Sequence, residues 1–551
     1  MGIPSYFSHI VKNHRAIIKR FNKQSFKINN LYLDCNSIVY DCLKTGFTSD
    51  GMTMTNDQFE KKLIYTVCTK IDEYISTINP DSRILIAFDG VAPVAKLEQQ
   101  RSRRYKSWFL SEMSKTFNKS SNETIQSFHW DATSITPGTQ FMHKLNTCVK
   151  LHFNVNDTQN MHNNKIISVS GSDEPGEGEH KIYEYIRNNA DYHSTSKTVI
   201  YGLDADLIML TLNHLYITKH MYLFRETPHF IKSLDNTLHP DELYVLDIPE
   251  LADKIVYDMN NEICPDKRLS ENLLFDYIFI CFLLGNDFLP HFPAINIRTS
   301  GIDTLMNAYK YVFNNENKKH RSTGFNLTDG KCINWKHFRL YISYIAELEH
   351  ELFKKEMKIR DKWQANSHRS FGKDDNETRL NSIPLRIRDT ENYINPNEEG
   401  WEDRYYKTLL DTEINDDRKK EICINYLEGL EWTIKYYVSG CADWRWKYNY
   451  FYPPLLTDLI RYIPYYDIEF MPIKPKNPVT EYVQLCYVLP KTSLVNLVPS
   501  HICNKLLQIH SNWYGLNNTF IWSFCKYFWE SHVNMPVIDL NELETIVNKQ
   551  D

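Results

Sequence analysis

The sequence lacks paired cysteines and a leader for secretion. Its 551 residues include twelve cysteines, but no Cys-x-x-Cys pair occurs, which argues against a zinc ribbon and a thioredoxin-type redox site. The amino terminus does not show the charged segment, apolar segment and cleavage site of a signal peptide. We therefore expect reduced thiols in an intracellular protein rather than a disulfide framework.

Long apolar runs and an excess of positive charge are also missing. The longest apolar stretch, residues 277–284, is far shorter than the ~20 residues that a transmembrane helix needs, so we expect no membrane segment. The formal net charge is −6, whereas a strongly basic chain would have indicated nucleic acid at once. Any binding of nucleic acid must therefore depend on a local cationic surface.

The composition is that of a folded protein with large cores. Hydrophobic residues make up 42% of the chain, aromatic residues 13% and charged residues 24%, which excludes a disordered chain. A length of 551 residues is several times that of a typical domain, so we expect two or three folding units.

Four short apolar runs predict buried β-strands. They lie in residues 31–36, 84–90, 166–169 and 199–206. The segments between them have helical spacing of apolar residues, as at 59–78 and 141–153. Apolar strands that alternate with helices imply an α/β fold, in which a mostly parallel central sheet is flanked by helices.

Acidic residues occur at or just past the carboxyl end of each predicted strand. A single Asp in such a place is more often a turn former or a helix cap, but here four strand ends supply carboxylates to one edge. Ligands of open parallel sheets bind beyond that edge. A later acid follows an apolar helical run and could join the others. The seven candidates are Asp34, Asp89, Glu177, Glu179, Asp204, Asp206 and Asp287.

The stretch 171–181 contains two of these acids. Pro175, Gly176 and Gly178 predict a tight turn between a strand and a helix, and Glu177 and Glu179 lie within it. One interpretation is that the acids only stabilise the positive end of the helix dipole. The other is a cation site, because clustered carboxylates repel one another and suit Mg²⁺ or Mn²⁺. A pair of such ions can bind both the attacking water and the leaving oxygen of a phosphodiester.

A basic stretch follows Asp89 along the chain. Helical spacing places four of its side chains on one face, because the second, third and fourth follow the first by four, seven and eight residues. They are Lys96, Gln100, Arg103 and Arg104. A solvated helix face is the commoner fate of such a charge run. The alternative is a phosphate pocket, in which Arg supplies forked hydrogen bonds and Lys a point charge, and the nearby Asp89 favours this second interpretation.

An aromatic motif occupies residues 443–454. Its composition alone favours an aromatic core plug. The alternative is a stacking surface for unpaired bases, each stack being worth ~1–3 kcal/mol. Arg445 and Lys447 alternate with the rings and slightly favour the stacking surface.

Several motifs follow one another in a fixed order along the chain. They are Met1-Gly-Ile-Pro-Ser-Tyr-Phe7, Asp89-Gly-Val-Ala-Pro93, Gln99-Gln-Arg-Ser-Arg-Arg104, Pro175-Gly-Glu-Gly-Glu-His-Lys-Ile182, Gly202-Leu-Asp-Ala-Asp-Leu-Ile208 and Gly285-Asn-Asp-Phe-Leu-Pro-His291. Shorter matches continue to about Pro499. Through these motifs the chain resembles the Xrn family of 5′→3′ exoribonucleases, over both conserved regions of that family's nuclease core.

The resemblance implies a fold like that of PIN and flap nucleases. It also implies a processive hydrolase that removes nucleoside 5′-monophosphates from single-stranded RNA with a 5′-monophosphate, as in RNA degradation and mRNA decay. By the same resemblance, the seven acids hold two Mg²⁺ ions, for which Mn²⁺ can substitute. The four residues of the basic face, Lys96, Gln100, Arg103 and Arg104, would bind the 5′-phosphate, and Tyr40, Pro93 and Trp444 would guide the leading bases.

The resemblance further implies a domain organisation. Residues 1–352 would form the catalytic α/β region, 353–380 a surface excursion, and 381–551 a second, mixed region that packs against the first and closes the active-site pocket. Two residues depart from the family pattern: Tyr40 stands where His is frequent, and Phe451 differs within the aromatic motif. The chain stops soon after the second region, so we expect a nuclease core without long carboxyl-terminal extensions.

Two other functions remain open from the sequence. A flap-type DNA endonuclease would share the acidic sheet edge, but residues 292–301 lack the glycine pattern of the hairpin that follows the last metal-binding Asp in those enzymes. A catalytically inactive RNA-binding scaffold on the same fold would not need all seven acids. For the leading hypothesis we expect single-stranded RNA as partner, no membrane, a monomer and a cytoplasmic location.

Overall fold

The computed structural model describes most of the chain. The described residues are 2–22, 27–45, 54–119, 130–155, 159–162, 165–225, 238–239, 242–319, 325–370, 375–411 and 415–549. Two compact units are present, each assembled from separate stretches. The sheet unit consists of Val11–Leu251, Lys476–Asn518 and Met535–Asp551, and the helical unit of Met1–Ile10, Ala252–Pro475 and Thr519–Asn534.

The sheet unit is built on eight strands in the order β1-β8-β7-β6-β2-β3-β5-β4. The strands are β1 Ile18–Arg20, β2 Asn30–Asp34, β3 Arg83–Ala87, β4 Gln159–His162, β5 Lys165–Ser170, β6 Thr198–Tyr201, β7 Met221–Phe224 and β8 Tyr244–Asp247. From β7 to β5 all neighbours are parallel, and only the pairs at the two ends are antiparallel. The predicted α/β fold with a mostly parallel sheet is therefore confirmed.

The central strands are apolar because both of their faces are covered. Every residue of β2 and of β6 is buried, which is typical of parallel strands between helical layers. The helices up to β7 are α1 Tyr6–Asn13, α2 Asn36–Thr45, α3 Asn56–Ile78, α4 Val94–Lys119, α5 Gln140–His152, α6 Gly178–Asn188, α7 Ala190–His193 and α8 Asp206–His214. One core cluster joins α2, α3 and α5 to the sheet. Thr55 and Gln58 form a capping box that begins α3.

A second core cluster of the sheet unit joins distant parts of the chain. It packs the beginning of α4 against the carboxyl-terminal stretches. The helices of those stretches are Glu481–Val488, Lys491–Leu497, Ser500–His510 and Leu540–Asn548. The chain therefore leaves the sheet unit after Leu251 and returns at Lys476 to complete it.

The helical unit has its own core. Its helices are Lys267–Phe282, Gly301–Lys319, Trp335–Ser370, Asn376–Asn381, Ile383–Arg386, Asp389–Ile394, Trp401–Leu409, Asp416–Val438 and Leu456–Tyr462, and Ile248–Met259 leads into it. A small antiparallel pair, β9 Thr519–Ile521 and β10 His532–Asn534, completes it. The large rings of Trp335, Trp432, Tyr341 and Tyr405 are fully buried.

All twelve cysteines carry free thiols. Among the described helices, none combines the length and the apolar character needed to span a bilayer. The predicted boundaries at 352 and 381 stay a prediction, although the helix Trp335–Ser370 runs without a break through residue 353 and the two compact units combine separate stretches of the chain.

Candidate active site

Six of the seven candidate acids meet at the carboxyl edge of the central sheet. They occupy the last residue of β2, the turn after β3, the amino-terminal turn of α6, the loop after β6 and the first residue of α8. Because β5, β3, β2 and β6 are parallel neighbours, their carboxyl ends deliver these side chains to one row. The acid row consists of Asp34, Asp89, Glu177, Glu179, Asp204 and Asp206.

Backbone hydrogen bonds join the two turns that carry Asp89 and Glu177. The amide of Gly90 donates to the carbonyl of Gly176 at 2.8 Å, and the amide of Gly176 donates to the carbonyl of Val91 at 2.8 Å. A Cβ on Gly90 would lie 1.7 Å from the carbonyl oxygen of Glu174. Glycine is therefore required at position 90, because any side chain would force the two turns apart.

Gly178 brings the start of α6 against the carboxylates. Its amide donates to Asp89 Oδ1 at 2.7 Å, and a Cβ at this position would lie 2.6 Å from Asp34 Oδ1. The sequence predicted a turn that backbone and ligand could approach closely. The structure shows that the groups approaching this backbone are two carboxylates of the acid row.

The acids raise one another's pKa. Burial raises the pKa of Asp34 well above its usual value, and the negative charges of Asp89, Asp204 and Glu177 raise it further. Burial also raises the pKa of Glu179 strongly, with Asp206 as the largest charged contributor. Such mutual repulsion costs stability unless a cation is present among the carboxylates.

Two lysines supply part of the compensating charge. Lys96 Nζ lies 2.6 Å from Glu177 Oε2, and both side chains are buried. Lys181 Nζ donates to the carbonyls of Phe88 and Gly171 at 2.8 and 2.7 Å. Burial lowers the pKa of Lys181 to about 8, although nearby acids oppose the shift. The two lysines do not balance six carboxylates, so the acid row retains an excess of negative charge.

The donor chemistry of the acid row fits a divalent cation. Among the residues that the structure describes, Asp34 Oδ1 and Glu179 Oε2 are buried without a hydrogen-bond partner, and hard oxygen donors of this kind suit Mg²⁺ or Mn²⁺. Within the same residues, however, no three His, Cys, Asp or Glu side chains already form a group that could hold an ion. Lys96 engages an oxygen of Glu177, and hydrogen bonds engage both oxygens of Asp89. The metal assignment therefore stays a prediction.

The four predicted phosphate-binding residues share one face of α4. Lys96, Gln100 and Arg104 are buried, and Arg103 is half-buried. Over the described part of the chain, Gln100 Oε1 and Arg104 Nε are buried and make no hydrogen bond. Burial lowers the pKa of Arg104, and Tyr40 and Asp89 are near enough to oppose that shift. We call these four residues the cationic face of α4, and the unpaired Nε donor of Arg104 within it suits an anionic ligand.

Pro93 and Tyr40 border this face. The carbonyl of Pro93 accepts hydrogen bonds from the amides of Lys96 and Leu97 at 2.9 and 3.1 Å, so Pro93 begins the first turn of α4. Tyr40 is half-buried and packs against the core of the sheet unit. Their predicted contact with bases stays a prediction.

The opposite face of α4 is held by the carboxyl-terminal stretch 476–518. The hydroxyl of Tyr487 donates to Glu98, Arg101 Nη2 donates to the carbonyl of Trp513 at 3.1 Å, and the hydroxyl of Tyr105 donates to the carbonyl of Leu516 at 2.5 Å. These contacts join residues separated by 389 to 412 positions. The sequence contained no local signal for them.

Tyr487→Phe should weaken this attachment without changing a charge. Loss of one hydrogen bond to a carboxylate should lower the free energy of unfolding by ~1.5–3 kcal/mol, because Glu98 is left next to an apolar ring. Urea unfolding of the full chain measures the loss. Tyr482→Phe is the matched control, since Tyr482 is exposed and its change should be within ~0.5 kcal/mol. Equal effects of the two substitutions would contradict the attachment.

Asn36 is a site residue that the sequence reasoning missed. Its Nδ2 donates to Asp89 Oδ2 at 2.6 Å, and its Oδ1 accepts the amide of Asp89 at 3.1 Å. This reciprocal pair fixes the Asp89 carboxylate. The available signal was the position of Asn36 two residues after Asp34, at the start of α2, because the amino terminus of that helix follows β2 directly.

Asp287 and Trp444 lie in the helical unit. Asp287 occupies a turn in which Asn286 Oδ1 accepts the amides of Phe288 and Leu289, both at 2.9 Å. Trp444 is buried, as is most of the aromatic motif. Trp446 stacks on Trp432 with 5.3 Å between ring centroids. The motif is therefore mainly core of the helical unit, as its composition favoured, and the predicted roles of Asp287 and Trp444 stay predictions.

Comparison with known proteins gives matches along the whole chain. A family model described as the XRN 5′-3′ exonuclease N-terminus matches residues 1–227. A second, described as the Xrn1 helical domain, matches residues 268–392 and 385–549. The two models together leave few residues of the chain uncovered.

Curated relatives have similar descriptions. The 5′-3′ exoribonuclease 1 of Saccharomyces cerevisiae is 27% identical and aligns with 91% of this chain and 40% of its own. The 5′-3′ exoribonuclease 2 homolog of Drosophila melanogaster is 28% identical over 90% of this chain and 64% of its own. The 5′-3′ exoribonuclease 2 of Arabidopsis thaliana is 27% identical, and the alignment covers 98% of this chain and 66% of the Arabidopsis protein. The chain thus spans 40 to 66% of the length of these relatives.

A solved structure of the catalytic core of Rad2 in complex with DNA substrate is also similar. The two sequences are 14% identical, the alignment covers 58% of this chain and 75% of the Rad2 chain, and the TM-score is 0.30. A similarity at this level carries no inference about the present chain.

Proposed function

This chain belongs to the XRN family of 5′-3′ exonucleases, and from that premise we propose that it is a processive 5′→3′ exoribonuclease. Its substrate is single-stranded RNA with a 5′-monophosphate, and its products are nucleoside 5′-monophosphates. The reaction is hydrolysis of the first phosphodiester, repeated along the strand.

One observation carries this proposal: the cationic face of α4 meets the acid row directly. Lys96 belongs to the cationic face and lies 2.6 Å from Glu177 of the acid row. A phosphate-binding surface and a carboxylate cluster in contact are what hydrolysis next to a terminal phosphate requires. Neither feature alone would distinguish an exonuclease from another phosphate-binding protein.

The cationic face would select the end of the strand. A terminal phosphate monoester carries nearly two negative charges at neutral pH, whereas an internal phosphodiester carries one. Arg103 and Arg104 offer forked donors, and the amide of Gln100 can rotate to donate as well. In these buried surroundings the terminal dianion should bind more tightly than the singly charged phosphodiester, because charge-assisted hydrogen bonds are strongest away from water.

The acid row would hold the divalent ions. Two Mg²⁺ ions, for which Mn²⁺ can substitute, supply charge neutralisation at the phosphodiester and an activated water. Asp34 and Glu179 offer buried oxygens for this purpose, Asn36 keeps Asp89 in place, and Asp287 is the seventh proposed ligand. Lys96 would be shared between Glu177 and the bound phosphate.

A labelled-end experiment tests the proposed activity. Purified protein is incubated with Mg²⁺ and 5′-monophosphorylated RNA labelled at either end. The expected result is mononucleotide from the 5′ label from the earliest times, while the 3′ label is found in uncut RNA or in the final products and not in a ladder of shortened strands. Short labelled oligonucleotides would indicate a flap-type endonuclease, and intact RNA at every divalent-ion concentration would indicate a scaffold.

The double substitution Arg103→Ala with Arg104→Ala should remove the preference for a 5′-monophosphate. Loss of two charge-assisted contacts should reduce the ratio of kcat/KM between 5′-monophosphate and 5′-hydroxyl RNA by at least ~10²-fold. Lys115→Ala is the control, because Lys115 is exposed on the same helix and forms a surface ion pair with Glu112. A double variant that keeps the parental ratio would remove the phosphate pocket from the proposal.

The remaining features of the proposal concern the substrate path and the cellular setting. Tyr40, Pro93 and Trp444 guide the leading bases, and the protein works as a monomer on cytoplasmic RNA, including mRNA undergoing decay. Light scattering of the purified protein and cell fractionation test the last two points.

A further inference from the structure

Arg225 lies at the same edge of the sheet as the acid row. It is the residue after β7, which ends at Phe224. In the parallel pairing of β6 with β7, Tyr201 is opposite Phe224, and the amide of Gly202 donates to the carbonyl of Phe224 at 3.3 Å. Arg225 therefore emerges next to the loop that carries Asp204.

The surroundings of Arg225 keep its charge close to the acids. The residue is half-buried, while Asp204 is exposed. Burial lowers the pKa of the Arg225 guanidinium, and the carboxylate of Asp204 raises it. An Arg remains charged in such a place, so a fixed positive charge borders the exposed end of the acid row.

The order of strands places the acids between two cationic groups. Reading along the sheet, Arg225 follows β7, Asp204 and Asp206 follow β6, Asp34 ends β2, and Asp89 with α4 follows β3. From β7 to β3 there are three strand spacings of about 4.8 Å, or about 14 Å in all. That distance exceeds the size of one phosphate group, so Arg225 and the cationic face of α4 serve different phosphates.

Resting on the proposed function, we propose that Arg225 binds the RNA backbone downstream of the bond that is cleaved. The terminal phosphate is held at α4, the first phosphodiester lies over the acid row, and a following phosphodiester contacts the Arg225 guanidinium. The strand thus approaches the acid row from the side of β7. Arg suits this role because its planar fork can bind two oxygens of one phosphate.

Neutralisation of single linkages tests the contact. A short 5′-monophosphorylated RNA is prepared with one methylphosphonate, which has no charge, at the second, third or fourth linkage. Binding is measured in Ca²⁺ for the parent and for Arg225→Gln. In the parent, one linkage should show a loss of affinity of about 10-fold, and Arg225→Gln should lose the sensitivity at that linkage alone.

The control and the second variant separate this contact from a general effect. Lys219→Gln removes an exposed charge just before β7 and should keep the parental sensitivity at every linkage. Arg225→Lys retains the positive charge but not the forked donors, so it should reduce the sensitivity at the same linkage by a few-fold. It also provides a second test if the Gln variant does not fold.

Two results would overturn the proposal. One is a Gln or Lys variant whose sensitivity equals that of the parent at all linkages, and the other is an equal loss of affinity for every modified and unmodified RNA. The proposed activity can fail separately: a parent that binds RNA but releases no mononucleotide loses the exoribonuclease assignment, while its linkage map still reports on Arg225.

Discussion

Glu179→Gln should abolish turnover and stabilise the protein when no divalent ion is present. The substitution keeps the shape of the side chain and removes one charge from a crowded set. If the acid row holds the ions, the loss of a ligand should lower kcat by about 10³-fold or more, which corresponds to ~4 kcal/mol of transition-state stabilisation. RNA affinity in Ca²⁺ should change little, because the cationic face of α4 is untouched.

The gain in stability follows from the direction of the pKa shift. Burial and the charge of Asp206 raise the pKa of Glu179 well above the ordinary value of 4.5. A folded state with a raised carboxyl pKa binds its proton more tightly than the unfolded chain does. The resulting stabilisation is present at low pH and is lost as the pH rises through the folded-state pKa. In chelator, the parent should therefore lose stability above about pH 4.5, and Glu179→Gln should lose less.

Thermal unfolding in EDTA and in Mg²⁺, from pH 5 to 8, measures both effects. The parent should gain stability from Mg²⁺ increasingly as the pH rises, and Glu179→Gln should gain much less. Glu184→Gln serves as the control, because Glu184 lies on the same helix but is exposed, and its turnover and Mg²⁺ response should match those of the parent. Parental kcat in Glu179→Gln would end the metal assignment at this residue.

Local patterns were sufficient to predict four neighbouring strands of the eight-stranded sheet and their acidic edge, but not β1, β4, β7 and β8. The strands β2, β3, β5 and β6 are continuous apolar runs bounded by polar turns, and each is specified within a few residues. The parallel arrangement followed from the helices between them. Once those strands are parallel neighbours, the position of Asp34 or Asp206 follows from the direction of the chain alone.

Contacts over long sequence separations could not be predicted in this way. The stretch 476–518 holds α4 through Tyr487 and Trp513, at separations of 389 and 412 residues, and no periodicity in either segment reports the other. Arg225 was missed for a related reason. A single Arg after a short strand has no pattern of its own, and it became informative only when the strand order placed it beside Asp204.

The aromatic motif shows a different limit of sequence reasoning. Rings that pack in a core and rings that stack on bases have the same composition, and interleaved charges such as Arg445 do not distinguish them. The structure shows Trp446 on Trp432 and the hydroxyl of Tyr452 donating to the carbonyl of Ser523 at 2.9 Å. These partners come from other parts of the helical unit, so only the tertiary fold could identify the motif as mainly core.

Arg360→Met should be among the most destabilising single substitutions in the helical unit. Arg360 is fully buried, and its Nε and Nη2 donate to the two oxygens of Glu391 at 2.8 and 2.6 Å. Arg388 Nε also donates to Glu391, at 2.6 Å, and so does the amide of Phe524, at 2.7 Å. Removal of one partner from a buried pair leaves a charge without sufficient compensation and costs ~3–5 kcal/mol.

The comparison with an exposed pair shows why burial decides the size of the effect. Arg418 and Glu421 are 2.5 Å apart on the helix Asp416–Val438 and remain largely accessible to solvent, so Arg418→Met should change the free energy of unfolding by less than ~0.5 kcal/mol. Urea unfolding followed by tryptophan fluorescence measures both variants. The double variant Arg360→Met with Glu391→Met should cost less than the sum of its single substitutions by ~0.5–3 kcal/mol, because neither Arg360 nor Glu391 is then left without the other. Arg388 loses Glu391 in the double variant but keeps its contact with Asp361 at 2.7 Å. Strict additivity would mean that Glu391 is stabilised mainly by the amide of Phe524 and by Arg388, and that Arg360 contributes through packing alone.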